Sequence, residues 1–462
     1  MTPTAEQEAI FAFIKDEKKN LLVTARAGAA KTTTIEMAIS RERKAATYLA
    51  FNKATVIEAK QRVPSLCEVF TLNGLGHRAW GRYTGKRLKV DSSKIYKLMK
   101  DMEYKGDNFK EMLRACNIAK MQGYVPEALY PKKPKHIIDK EEFYDEYNFE
   151  FTPDEQFIID ATLEQSLNQA FEGLIDFNDQ ILCSAIFPTV FDTAGRILYV
   201  DEVQDLSPIN HLMIKRGFPG IRKIMVGDQA QAIYGFRGAH QDGMSVLKEE
   251  FKMEELKLTK TFRCARSIVE HANWRTGDMV PHREGGEVQK LGTAWTYETF
   301  PNQCAILCRN NAPIIRLGIA LLKNGYSPHI IARDLFQEMQ SIIRSITRKE
   351  SDVKKAISKW DEKQRKKLKS LSLHRDKVEC LYLMADQANT PTGVLAYIKK
   401  LSERTHGSFT LSTCHRAKGM EWSEVFILNE DLFRIDEQYS QDDNLLYVAQ
   451  TRAKDKLTYI EW

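Results

Sequence analysis

"NLLVTARAGAAKTTTIEMAIS", residues 20–40, runs from an apolar, β-rich stretch through a small-residue turn into helix formers. A strand that turns sharply into a helix aims free backbone N–H groups at whatever sits over the turn. A lysine followed by threonine at that point suits phosphate oxygens and a divalent cation, through Lys31 and Thr32 respectively. The slots from Ala25 to Thr32 read A-R-A-G-A-A-K-T against the phosphate-loop pattern G-x-x-x-x-G-K-[ST]. Gly28 stands where the turn needs a positive φ, and the turn can start without a glycine at Ala25. Ala30 is the departure, because its Cβ points towards the space the phosphates would fill. Taken alone, the stretch also fits a chance strand–turn–helix.

The next informative stretch is "RILYVDEVQD" (196–205), an apolar strand ending in two acids. Asp201 there is placed to hold a cation and Glu202 to act as general base on a water; a buried strand that merely ends in acids is the plainer alternative. Similar runs recur at "AATYLAF" (45–51), "CEVFTL" (67–72) and "RKIMVGD" (222–228), then at "CAILCR" (304–309), "PHIIA" (328–332), "FTLSTC" (409–414), "EVFIL" (424–428) and "KLTYIEW" (456–462), with helical stretches between. Strands alternating with helices predict an α/β fold with parallel sheets covered on both faces. One group of strands ends near residue 229 and a second begins near 303, so two sheets are expected. Charged, helix-forming residues from about 84 to 175 and from about 336 to 405 interrupt the rhythm as helical insertions. The first contains the Pro/Lys break "PKKPK" (131–135), and the second a basic run from Lys354 to Lys377.

Composition agrees with a multidomain globular chain. The 462 residues exceed one ordinary core, and 43% hydrophobic with 28% charged residues argues against extensive disorder. A net charge of +6 permits a polyanionic partner without demanding one. The first twenty residues carry no uninterrupted apolar core, so neither a secretory signal nor a membrane span is expected there, and an intracellular, cytoplasmic protein is. Of the eight cysteines, only Cys304 and Cys308 lie close together. No second pair or histidine cluster completes a metal site, and buried free thiols are the expectation.

Taken in chain order, "TAEQEAI" (4–10), "ARAGAAKTT" (25–33), "LAFNKA" (49–54), "FTLNGLGHRAW" (70–80), "IDFNDQ" (175–180), "VDEVQD" (200–205), "VGDQAQAIYGFRGA" (226–239), "LTKTFRC" (258–264), "STCHRAKGMEW" (412–422) and "NLLYVAQTRAKDKL" (444–457) resemble the motif series of superfamily 1 helicases of the UvrD/Rep kind, with the F-box-DNA-helicase-like branch nearest. The resemblance spans nearly the whole chain. It implies two RecA-like P-loop NTPase domains with parallel sheets: the first from 1–83 and 176–258 around an insertion at 84–175, the second from 259–335 and 406–462 around a short basic insertion at 336–405.

The resemblance also implies ATP and Mg²⁺ as cofactors and gives residues their roles. Lys31, Asp201, Glu202, Gln231, Arg263 and Arg452 would be catalytic, with Gln231 and Arg263 at the γ-phosphate and Arg452 as arginine finger. Gln7 would read adenine and Phe262 stack on it. Ala27, Gly28, Ala29, Ala30, Lys31, Thr32 and Thr33 would line the phosphates, with Gly419 and Glu421 near the sugar. Thr32 and Asp201 would hold the metal. DNA would meet Phe51, Asn52, Thr71, Asn73, Tyr234, Phe236, Arg237, Thr413 and His415, since base-on-aromatic stacking tolerates any sequence. Packed or surface roles remain the alternatives for Phe236, Arg263 and Arg452, while His77 is expected as a packed or capped histidine and Trp80 and Trp422 in the core. Arg26 replaces a small residue and either adds charge for the phosphates or points to solvent.

The implied activity is that of a monomeric ATP-dependent helicase or translocase on single-stranded DNA and single/double-strand junctions. It would move 3′→5′ by closing and opening two lobes. A different class of reading is an ATP-switched clamp on single-stranded DNA that hydrolyses little because of Ala30; a third is an RNA motor. The basic run fits a DNA contact or a solvated helix face equally.

Overall fold

Branched and aromatic residues dominate the buried strands because they pack well on a pleated surface covered on both sides. The computed structural model describes residues 2–106, 108–126, 138–147, 149–191, 197–235, 242–348, 350–365, 372–404, 406–434 and 441–462. "PKKPK" therefore lies outside the described residues, as do Phe236 and Arg237. The chain divides into two units, one of Met1–Ala25 and Ala30–Leu258, the other of Arg26–Ala29 and Thr259–Trp462.

In the first unit, β1 (Leu21–Ala25), β2 (Ala46–Leu49), β3 (Cys67–Phe70), β6 (Ile197–Val200), β7 (Arg222–Gly227) and β8 (Glu254–Leu258) form one parallel sheet. The short β4 (Lys89–Val90) and β5 (Leu174–Ile175) pair apart from it. The sheet order β3-β2-β6-β7-β1-β8 makes β6, β7 and β1 neighbours, with Leu21 opposite Ile224 and Tyr199 opposite Ile224 on its other side. The segments leaving those three strands thus emerge side by side at the carboxyl edge, where open α/β sheets bind ligands. Helices α1 (Ala5–Asp16), α2 (Lys31–Glu42), α3 (Lys53–Arg62) and α4 (Leu72–Thr84) follow or precede the early strands. The insertion adds α5 (Lys94–Asp101), α6 (Phe109–Gln122), α7 (Lys140–Glu146) and α8 (Pro153–Phe171) around a core of its own that includes Met99, Met112, Phe143 and Ile159. Helix α9 (Phe177–Ile186) returns the chain to the sheet, packing Leu182 and Ile186 with Trp80 and Leu198.

In the second unit, β9 (Lys260–Ala265) pairs with β10 (Val280–Arg283), and a second parallel sheet has the order β11-β16-β15-β12-β14-β13. Its strands are β11 (Glu287–Gly292), β12 (Ala305–Cys308), β13 (Pro328–Ile331), β14 (Phe409–Thr413), β15 (Trp422–Leu428) and β16 (Ala453–Ile460). Four helices, Arg333–Ile346, Val353–Arg365, Ser372–Ala385 and Pro391–Ser402, fill the stretch expected to be helical, and Phe336, Met339, Leu381 and Ile398 share one core with the sheet residues Ile306 and Leu411. Both sheets reach further along the chain than the sequence reading placed them. β8 extends the first sheet beyond 229 and β11 starts the second before 303. Both are edge strands whose charged, exposed residues hide the apolar signal.

Candidate functional site

The loop after β1 bends through two left-handed residues, Gly28 at φ 72° and Ala30 at φ 57°, ψ 42°. Ala30 is the N-cap of α2, so the backbone turn that a glycine would make freely is made here by an alanine. From the start of α2, Lys31 Nζ lies 3.8 Å from Glu202 Oε1 and Thr32 Oγ1 donates to Asp201 Oδ2 at 2.6 Å. Lys31, Thr32, Asp201 and Glu202 thus come together where β1 and β6 end. Thr33 sits half-buried one residue further along α2.

Asp201 is 3% exposed and also accepts from Tyr48 Oη and from the Glu202 backbone N–H. Burial, with the Glu202 charge adding to it, raises its carboxyl to about 6, while the Thr32 hydroxyl and Lys31 pull the other way. A hydroxyl and a carboxylate in contact are hard oxygen donors, the set that Mg²⁺ takes. Glu202 itself has φ 53° and accepts from Gln204 Nε2 at 2.5 Å. The Gln204 carbonyl oxygen in turn accepts the Asp228 N–H at 2.9 Å, and Asp228 Oδ2 accepts from Gln231 Nε2 at 2.5 Å. Gln204 therefore ties the acids after β6 to the segment after β7. Tyr48, Gln204 and Asp228 were not singled out from the sequence; the amide inside "VDEVQD" and the acid in "VGDQ" are the signals that could have found them.

Gln7 is buried and fully engaged. Its side-chain oxygen accepts Thr4 N–H in a capping box, and its Nε2 donates to Thr34 Oγ1 at 2.8 Å. Asn52 caps α3 by accepting from Thr55 N–H, and Thr71 caps α4 by accepting from Gly74 N–H. Tyr234 is half-buried. Phe51 is 46% exposed. Asn73 Nδ2 donates to the carbonyl of Phe177 at 2.8 Å, and Phe177, overlooked in the sequence, is 60% exposed. Its exposure at the start of α9 could not be read from "IDFNDQ"; an aromatic residue set between Asp176 and Asn178 was the signal that could have flagged it.

Within the second unit, Phe262 N–H donates to Gly28 O at 2.9 Å, and a Cβ on Gly28 would stand 2.6 Å from Arg263 Cβ. Only glycine fits there, for space as well as for φ. Ala27 and Ala29 are buried, and Ala27 N–H donates to Tyr447 Oη at 3.2 Å. Arg26 neither reaches for solvent nor stands free for a phosphate: Asp278 grips its guanidinium at 2.5 and 2.9 Å. The Phe262 ring lies against His282, centroids 4.8 Å apart.

Arg263 Nε pairs with Glu421 Oε2 at 2.7 Å, and the other oxygen of Glu421 takes Lys454 at 2.7 Å. Burial raises the Glu421 carboxyl, but the two cations outweigh it and leave it lowered. Arg452 is 1% exposed, its guanidinium donating to the carbonyls of Val448 and Met420. Gly419 has φ 87° in open space beside Glu421. Thr413 is buried, with its hydroxyl 3.4 Å from Arg416 Nη1, and His415 is half-buried. Cys304 and Cys308 are buried free thiols, each pushed up to about 12 chiefly by burial, and no metal-binding group of three or more His, Cys, Asp or Glu occurs among the described residues. No helix among the described residues is long and apolar enough to cross a membrane.

The model of the UvrD/REP helicase N-terminal domain matches residues 4–252, and that of the UvrD-like helicase C-terminal domain matches 408–460. F-box DNA helicase protein 1 of Schizosaccharomyces pombe is 26% identical over 98% of this chain and 57% of its own length. A probable DNA helicase II homolog of Mycoplasma genitalium is 22% identical, covering 75% of this chain and 66% of that protein. ATP-dependent DNA helicase UvrD2 of Mycobacterium tuberculosis is 26% identical over 61% of this chain and 50% of its own length. The chain thus spans about half to two thirds of these relatives. Among solved structures, an arterivirus nonstructural protein 10 helicase with DNA aligns over 96% of this chain and 61% of that one, at 11% identity and a TM-score of 0.37.

Proposed function

The chain belongs to the UvrD/REP helicase family, and from that premise we propose that it is an ATP-dependent motor on single-stranded DNA, moving 3′→5′ and opening duplex at junctions. The observation that carries this reading is the group at the adjoining ends of β1, β6 and β7. Lys31 pairs with Glu202 and Thr32 with Asp201 there, and Gln204 leads from them to Asp228 and Gln231. Lys31 binds the β/γ-phosphate oxygens, and Glu202, oriented by the Gln204 amide, takes the proton of the attacking water. Mg²⁺ held by Thr32 and Asp201 would supply charge neutralisation on the same oxygens. Arg263 and Arg452 would be the cations for the γ-phosphate, the first on leaving Glu421 and the second on leaving the carbonyls of Val448 and Met420. Phe51, Tyr234 and Phe177 offer rings on which bases stack. Each hydrolysis cycle closes and reopens the two lobes on the strand; opening a duplex step costs on the order of 1 to 2 kcal/mol, within reach of one ATP per step.

The strained Ala30 favours one alternative, an ATP-switched clamp with little turnover. Phosphate release with and without single-stranded DNA separates the two. A motor hydrolyses ATP faster with the strand and loses that on Lys31→Ala. A clamp shows nucleotide-dependent DNA affinity with no stimulated release, and stronger stimulation by RNA than by DNA would reassign the substrate.

A further inference from the structure

Four charges lie wholly inside the first unit, at the root of the helical insertion. Lys120 Nζ donates to Asp176 Oδ2 at 2.7 Å, to Asp179 Oδ1 at 2.6 Å and to Ser166 Oγ at 2.8 Å. Lys94 Nζ donates to the other Asp179 oxygen at 2.7 Å and to the Ser166 carbonyl at 2.6 Å. The ammonium groups come from α5 and α6 and the serine from α8, all in the insertion. The carboxylates belong to the capping box that starts α9. Two ammonium groups face two carboxylates, with all three N–H bonds of Lys120 and two of Lys94 finding acceptors.

Such a cluster is a poor way to gain stability, since a packed apolar replacement does as well or better; its best-attested use is to fix register. The register fixed here is that of one turn. Phe177 follows Asp176 as the first residue of α9, so the insertion grips the side chains of the cap residues on either side of it. Asn73 on α4 holds its carbonyl, and Asn178 Nδ2 reaches Asn117 Oδ1 on α6 at 3.3 Å. The backbone is pinned from both sides while the ring stays open to solvent. Stacking demands placement within roughly half an ångström, which a helix terminus left to fray does not provide.

We propose that Lys94 and Lys120 are positioning residues that, through Asp176 and Asp179, hold the Phe177 ring in place for a base of the single strand and so tie the helical insertion to the motor's grip. This rests on the single-strand reading above. Burial works against the Asp179 charge, and the two lysines overcome it, leaving its carboxyl below the usual range; Lys120 is raised by the same carboxylates, while burial leaves Lys94 below its ordinary value, so the Lys120 contacts are the firmer half of the clasp.

The test is ATP hydrolysis by the full chain titrated with oligo-dT, read as maximal rate and as the DNA concentration giving half-activation. Asp176→Asn keeps the cap and the side-chain volume but removes one carboxylate from Lys120; Lys94→Met is the harsher variant, and if it fails to fold the asparagine carries the test alone. Phe177→Ala is expected to raise the half-activating concentration about tenfold, the loss of one stacked base. Asp176→Asn should raise it several-fold with the maximal and DNA-free rates within about twofold, and the double variant should bind no worse than Phe177→Ala. Additive effects, or a lowered melting temperature with an unmoved half-activating concentration, overturn the positioning role. A parent chain that ignores single strands altogether overturns the functional reading, and this proposal with it.

Discussion

Ala30 holds a left-handed backbone that costs an L-residue roughly 1–2 kcal/mol. Replacing it with glycine removes that strain but adds about 0.5–1 kcal/mol of chain entropy to the unfolded state. The net expectation for Ala30→Gly is a gain of about 0.5–1 kcal/mol in urea unfolding, with ATP affinity equal or tighter. Weaker nucleotide binding would show that the methyl serves the site. Asp201 stores strain of another kind. Its carboxyl stands near 6, above the unfolded value of about 3.9. The native state therefore binds the extra proton between those two values, and stability falls as pH rises through that window. Above pH 6 the charged, buried carboxylate costs on the order of 3 kcal/mol. Asp201→Asn is expected to melt higher than the parent at pH 7.5 without metal, to lose that advantage near pH 4, and to abolish hydrolysis. A variant no more stable than the parent at pH 7.5 would mean the buried charge is compensated.

Gln204 shows what elements add to residues. Its amide joins the segment after β6 to the segment after β7, donating to Glu202 and accepting from Asp228. Gln204→Leu keeps the volume and removes both bonds. A fall of roughly 10–100-fold in kcat with ATP affinity unchanged is expected if it orients the general base, whereas a lost affinity would place it in ground-state binding. That bond was not readable from sequence, because it depends on β6 lying beside β7, and strand order leaves no mark in composition. The buried strands were readable from their unbroken apolar runs, as in "ILYV" of β6. β8 was not, since Glu254 and Glu255 face out on a sheet edge and pair with Lys19 and Lys248. Motif residues were legible as identities, and their present partners were not. Nothing in "TARAG" told that Asp278, about 250 residues away in sequence, would hold Arg26, nor that Gln7 would spend its amide on Thr4 and Thr34.

At the scale of the whole molecule, a net charge of +6 raises the question of where a polyanion is drawn, and the run from Lys354 to Lys377 was the densest candidate. Residues 366–371 of it lie outside the described residues. In the rest, acids of the same unit answer five of the cations. Lys354 pairs with Asp386, Lys355 and Lys359 with Glu350, Arg365 with Asp361, and Lys377 with Glu338. Exposed pairs of this kind are worth only about 0–1 kcal/mol each, so they do not explain the fold. They do reduce the field the helix face presents, which favours the solvated-face alternative for this stretch. Each phosphate neutralised on a single strand contributes about −0.7 to the slope of log affinity against log salt. If Lys354, Lys355 and Lys359 touched DNA, changing all three to Gln would flatten that slope by about 2. The pairing predicts a slope unchanged within about 0.5, measured by fluorescence anisotropy on oligo-dT between low and moderate salt. A flattening near 2 would mean that DNA displaces Glu350 and Asp386 from these lysines and that the insertion belongs to the single-strand path.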